Sequence, residues 1–297
     1  MIEYDPHDWK SHLLDIRGSM VREIFARVAL CVLWAMVVVA IDIYWLNVGV
    51  PPSVHALLGT AIGLLLVFRT NSSYDRFWEG RRMWGNIINE SRNLGRCAAT
   101  YVRAAPDLER KLVEWTIAYA YASMHRLRGE HTLGLATRFF SKEELATLES
   151  PDHLPVQVAT KITDVLLQAR DRGVLSEYAL LQIDKNVNLL VDYIGACERI
   201  QKTPLPYAYM VHLRRALLLY CYTLPFALVN DYGWEAVPLT FLVAYIFFGI
   251  EEIGVEIEGP FGTDENDLPL ERFCAGIEGD LLDCLNTDGE RKAALQP

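Results

Sequence analysis

Residues Gly259 to Glu271 read GPFGTDENDLPLE and set three carboxylates, Asp264, Glu265 and Asp267, around Asn266, directly after a long apolar segment. Carboxylate oxygens crowded into a turn are ligands for a hard cation such as calcium. The spacing is not that of an EF-hand, which alternates Asp or Asn, carries a central Gly and closes with a distal Glu. The same residues fit a second use. Asp267 stands where it would cap a helix opening with Pro269 at its first position. Calcium binding by these carboxylates and helix capping both stand as readings of this turn, and no other cofactor is required.

The remaining reactive residue types are scattered. The seven histidines form no close pair, and neither an HExxH nor a GxSxG stretch is present. Cys31, Cys97, Cys197, Cys221, Cys274 and Cys284 contain no CxxC pair and no zinc spacing, so all six are read as reduced packing residues. Asp42 lies inside the first apolar segment and Glu251-Glu252 at the end of the last. Acids at membrane depth are functional candidates by default. With no nucleophile, base or metal cluster beside them, an enzyme is not expected.

A different chemistry, the passage of ions, needs only shape and polarity. Thr60, Leu64 and Phe68 fall four residues apart and share one helix face. Gly59 and Gly63 form a GxxxG on a neighbouring face. One reading is an ordinary packed helix. The other is a pore-lining helix in which Leu64 and Phe68 form apolar rings that gate by dewetting, and it requires several copies of the chain.

Four apolar segments must position these residues, at about 24–46, 54–72, 213–230 and 234–256. A bilayer-spanning helix needs roughly 20 apolar residues, and the uninterrupted apolar runs within the last three, Val54 to Phe68, Ala216 to Val229 and Val237 to Ile250, are short by that measure. Charge placement decides in favour of spanning. The connection NVGVPPS carries no charge and NDYGWE is acidic, whereas Arg17, Arg22, Arg27, Arg69, Arg76, Arg81, Arg82, Arg214 and Arg215 all fall on the opposite side. Basic residues mark the cytoplasmic face, which places both termini and the block 73–212 in the cytoplasm. That block reads as helical throughout: Pro106-Asp107 opens a helix closed by Gly129, Ser141 and Glu144 form a capping box, a run from Pro155 ends at Gly173, and Ser176 precedes another. The second apolar helix continues toward Gly80 through Asp75, Arg76, Glu79, Arg81 and Arg82, which offer close opposite-sign pairs. The fold class is therefore an all-α integral membrane protein, with four transmembrane helices plus a large helical cytosolic region, read as one unit over residues 1–297.

The net charge of −10 is confined to one segment, because Glu251 to Pro297 hold thirteen acids against three bases while the rest of the chain is balanced. This acidic tail, 257–297, argues against a nucleic-acid partner. No secretory signal peptide is visible. Corresponding broken segments in two halves, the mark of many secondary transporters, are absent from the sequence, so a transporter or membrane scaffold is the weaker alternative.

SYDRFWEGRRMWG after the second apolar helix and GPFGTDENDLPL after the fourth together resemble the bestrophin family, in its prokaryotic branch. The resemblance covers essentially the whole chain. It implies a homopentameric ion channel in the bacterial inner membrane, assembled around one axial pore. It puts a hydrophobic neck at Thr60, Leu64 and Phe68, where Thr60 departs from the usual aliphatic residue. It puts a second constriction in the stretch ALLQIDKN, at Ala179 with Ile183 one turn on, and calcium-ligating side chains at Asp264 and Asp267. Animal members conduct anions and prokaryotic members can conduct cations. With the acidic balance, monovalent cations are the expected permeants and an anion-selective channel the alternative.

Overall fold

The computed structural model describes His7, residues 19–148 and residues 153–294, with side chains described up to residue 285. Arg17 lies outside the described residues. Among the described residues the structure is helical with no strand, which follows from the absence of any sustained period-two pattern. Chain contacts divide it into two compact units. The first gathers the described part of Met1–Trp78 with Pro204–Pro260 and Asp264–Asp267; the second gathers Glu79–Thr203, Phe261–Thr263 and the described part of Leu268–Pro297.

The first unit holds α1 (Val21–Tyr44), the leading part of α2 (Ser53–Cys97), α7 (Tyr207–Tyr232) and α8 (Ala236–Glu256). Three stretches, Val21–Tyr44, Ser53–Val102 and Tyr207–Glu256, are long and apolar enough to cross a membrane. The last of them is folded into α7 and α8, which pack on each other across a short 3-10 turn, Gly233–Glu235. Gly233 adopts φ 50° there, a left-handed conformation that glycine takes without steric cost.

Packing runs along helical stripes. Ile24, Val28, Cys31, Ala35 and Val38 form the buried stripe of α1. With Ile62, Leu66, Leu213, Leu217, Cys221, Ala244 and Phe248, the first three of these make one apolar cluster. The outer face of α1 is equally apolar, with Phe25, Leu30 and Leu33 more than half exposed. A surface as oily as the core suits a lipid solvent, where helices gain nothing by hiding apolar side chains from water. Gly59 earns its place within the chain, since a Cβ there would stand 2.6 Å from the Tyr220 hydroxyl oxygen. Gly63, its partner in the GxxxG, faces open space.

The second unit contains the remainder of α2, a π-turn at Ala98–Val102, α3 (Pro106–Leu127), a 3-10 turn (Gly134–Phe139), α4 (Lys142–Ala146), α5 (Leu154–Asp171), α6 (Glu177–Lys202) and α9 (Leu270–Ala294). Its centre is α3, buried on nearly every face from Leu112 to Met124 and packed on α5 and α9. Tyr119 is fully buried there and donates its hydroxyl to the Leu190 carbonyl at 2.7 Å. The local signals act as expected. Gly129 and Gly173 take φ 76° and 72° just past α3 and α5, Ser141 and Glu144 form the reciprocal capping box of α4, and Ser176 caps α6 through the Ala179 amide.

Candidate functional site

The leading part of α2 has two opposed stripes. Ile62, Leu66, Arg69 and Ser73, spaced at four and three residues, are buried against the first unit. Opposite them, Leu64 and Phe68 are 57% and 56% exposed. Thr60 is exposed on the same side, and its hydroxyl donates to the Ala56 carbonyl at 3.0 Å. The one hydroxyl proton of Thr60 is therefore satisfied inside the helix. Thr60, Leu64 and Phe68 thus form a continuous outward stripe on one helix face.

Directly after the stripe comes a charge the sequence did not flag as special. Arg69 has no exposed surface; it donates to Ser73 Oγ at 3.0 Å and to the Glu258 carboxylate at 3.1 Å. Glu258 is a junction: its other carboxylate oxygen accepts from the Leu205 amide at 2.9 Å, and its carbonyl accepts from Arg76 at 3.2 Å. Two side chains of α2 and the entry to α7 thus converge on one residue beyond α8. Glycine at 254 leaves room for this, since a Cβ there would sit 3.3 Å from the Arg69 side chain. Arg76 reaches the Glu258 carbonyl far along the chain, and Arg81 lies over the Phe273 ring at 4.9 Å.

The acids at membrane depth find partners too. Glu251 is buried and accepts from Arg214 at 2.9 Å, while Arg27 reaches Glu252 at 2.7 Å and Glu251 at 3.6 Å. Asp42 accepts from the amides of Val48 and Gly49 at 2.7 and 3.2 Å, ordering the loop after α1. Each of these acids, read from sequence as a functional candidate, has a structural partner, as low-dielectric surroundings demand.

The acidic turn is closed by its own residues. The Asp267 carboxylate accepts from the Asp264 amide at 2.8 Å, and the Asp267 amide donates to the Asp264 carbonyl at 3.0 Å. Asp267 therefore bonds backward along the turn, a correction to the expected capping of the next helix, which begins at Leu270. Burial, only partly offset by the Asp264 amide, raises the Asp267 carboxyl to about 6. Among the described residues no group of three or more His, Cys, Asp or Glu is placed to share a metal. A hard cation at Asp264 and Asp267 would complete its shell with backbone carbonyls and water.

The second constriction finds less support. Ala179 is half-buried in the first turn of α6. Ile183 is only 2% exposed and belongs to the core of the second unit, so its side chain is not available to an aqueous opening in this chain. Helical spacing alone did not reveal which face of α6 packs inward. The exposed apolar residues near it are Tyr178 and Leu181.

The sequence matches the Bacterial/Fungal Bestrophin family over residues 1–283. The chain belongs to the bestrophin family. Among curated relatives, a Nostoc sp. protein named a voltage-dependent anion channel-forming protein is 40% identical over 279 residues, covering 93% of this chain and 91% of its own length. A Synechocystis sp. protein with the same descriptive name is 36% identical over 284 residues, covering 94% of this chain and 92% of its own. Among solved structures, a bacterial bestrophin homologue from Klebsiella pneumoniae superposes with a TM-score of 0.84 at 30% identity, covering 89% of this chain and 98% of that one. This bestrophin is therefore an all-helical membrane protein with the family's architecture.

Proposed function

We propose that this bestrophin is the repeating subunit of a homopentameric ion channel in the bacterial inner membrane, acting as one unit over its whole length. The observation that carries the reading is the outward stripe of Thr60, Leu64 and Phe68, opposite the buried stripe of Ile62, Leu66, Arg69 and Ser73. One such stripe cannot enclose a pore, so neighbouring copies must supply the other walls, with rings of Leu64 and Phe68 as the neck. With its hydroxyl bonded back to Ala56, Thr60 makes the neck drier than its residue type implies. In this reading α1, the leading part of α2, α7 and α8 each span the bilayer, and both termini are cytoplasmic. A second constriction lies at the start of α6, at Ala179.

The permeants are small monovalent ions. The acidic balance of −10 leans toward cations. A second reading, anion selectivity in the same architecture, is favoured by the names of the Nostoc and Synechocystis relatives. It also gains from the pairing of the acidic segment: Glu251, Glu252, Glu258, Glu271, Glu278 and Asp280 each meet an arginine, which lowers the local negative field. Reversal potentials of purified protein in planar bilayers under a potassium chloride gradient separate the two. A potential near that of potassium supports the cation lean, and one near that of chloride replaces it. Five-fold particles in images of detergent-purified protein support the assembly, and a monomer removes it. Calcium at Asp264 and Asp267 predicts calorimetric binding heat that is lost in Asp264→Ala; no heat in the wild type leaves the turn with its closing role alone.

A further inference from the structure

A cavity of about 780 Å³ lies within the first unit, along one face of α8 and against the start of α1. That volume falls in the range of roughly 300–1,000 Å³ typical of small-molecule sites. On α8, Tyr245, Ile246, Gly249, Ile250, Ile253 and Ile257 recur at helical spacing along its wall, a run of about 18 Å at 1.5 Å per residue. The wall is thus hydrocarbon for most of its length. Glu256 and Asn266 form its polar end, where the Asn266 amide donates to the Glu256 carboxylate at 3.1 Å. No basic side chain lines the cavity among the described residues. Glu256 differs in this from the other acids near the end of α8. Glu251, Glu252 and Glu258 each meet an arginine, whereas Glu256 enters no ion pair among the described residues. It also closes α8, where the negative end of the helix dipole disfavours a carboxylate and favours a cation.

We propose that this cavity binds a single-chain amphiphile with a protonated amine head, its alkyl chain lying along α8 and its ammonium donating to Glu256. The chain gains by burying hydrocarbon against the isoleucines of α8. The head meets an acid whose charge is uncompensated, and the resulting hydrogen bond is charge-assisted. Gly249 keeps the groove open at its middle. A Cβ there would meet Ile24 Cδ1 at 3.9 Å, an ordinary contact, so a larger side chain at this position extends into the cavity without displacing the backbone. The inference rests on the membrane fold of the first unit and not on the pore reading, and no current is measured to test it.

The test uses the full chain reconstituted in phosphatidylcholine vesicles at neutral pH. The probes are a long-chain primary amine carrying a photoreactive diazirine in its chain, and the alcohol and carboxylic acid of the same chain. After illumination the protein is digested and its labelled peptides are mapped. The amine is expected to label the α8 peptide saturably, to be displaced by excess dodecylamine, and to exceed the alcohol and the acid. Glu256→Gln is expected to weaken amine labelling about tenfold below saturation, the worth of one charge-assisted hydrogen bond. Gly249→Leu fills the groove and is expected to lose labelling by all three probes. Labelling by the alcohol as strong as by the amine, the result for a groove that takes any lipid tail, overturns the proposal. So does an unlabelled α8 peptide, the result for a groove covered by a neighbouring copy, and so does wild-type labelling in Gly249→Leu. Displacement by dodecylamine in the wild type decides the matter even where a variant fails to fold.

Discussion

Arg69, one residue beyond Phe68, is completely buried and meets the Glu258 carboxylate at 3.1 Å. The helix that carries the exposed apolar stripe is therefore pinned, at the end of that stripe, to the segment leading into the acidic turn. Any rotation of α2 that moved Phe68 would also have to move a buried guanidinium away from its counter-charge.

Removing one member of that pair strands the other. Arg69→Met or Glu258→Gln is expected to cost about 3–5 kcal/mol, near the lower end because Glu258 keeps some solvent. The thermal midpoint of purified protein falls in either single variant, while the double variant Arg69→Met/Glu258→Met loses less than the two singles summed. Single variants that melt with the wild type would show the pair to be incidental.

Gly59 and Tyr220 give a second test of packing. Gly59→Ala places a methyl 2.6 Å from the Tyr220 hydroxyl oxygen and is expected to cost about 1–3 kcal/mol by overpacking. Adding Tyr220→Phe removes the clashing atom and recovers part of that loss. Gly63→Ala, with nothing within 4 Å, leaves the midpoint unchanged. A Gly59→Ala midpoint equal to that of wild type would contradict the close approach.

What the sequence revealed was chiefly what is local. The caps at Ser141, Gly129 and Gly173 act within a few residues, and their residue types carry their own conformational reasons. The outward stripe was legible for a similar cause, since helical spacing alone aligns Thr60, Leu64 and Phe68. Arg69 was not legible. An arginine after an apolar run reads as a membrane-interface flank, and its partner lies far along the chain. The burial of Ile183 was not legible for the complementary reason, because periodicity gives a face without saying what the face packs against. Asp42 shows a third limit: a carboxylate inside an apolar run stood as a functional candidate, and spacing did not reveal that it accepts from the Val48 and Gly49 amides and orders a loop.

Glu198 ties three elements of the second unit together, accepting from Arg126 at 2.7 Å, with His153 at 3.2 Å and Lys202 at 3.4 Å. Burial pushes its carboxyl up, but the Arg126 hydrogen bond, with His153 and Lys202 beside it, outweighs that and holds it below the usual carboxylate range. A depressed folded value means that the stabilisation is present above the ordinary glutamate value of about 4.3 and is lost as pH falls through the lower folded value. Denaturation midpoints should decline over that acidic window, and Glu198→Gln should decline less steeply. Parallel pH profiles would count against the pairing.

Tyr119 offers a simpler check. Tyr119→Phe keeps the ring and leaves the Leu190 carbonyl without its buried donor, an expected loss of about 1–2 kcal/mol. Denaturant titration reads it directly, and an unchanged midpoint would mean that the carbonyl finds another donor.

Single-channel recording of the purified wild type beside Leu64→Ala and Phe68→Ala tests whether α2 presents a hydrophobic neck to a conducting pore. Discrete current steps are expected in all three, with a higher open probability in both variants because a shortened apolar ring wets more readily. Absence of unitary currents, or gating in both variants indistinguishable from wild type, would contradict the neck reading.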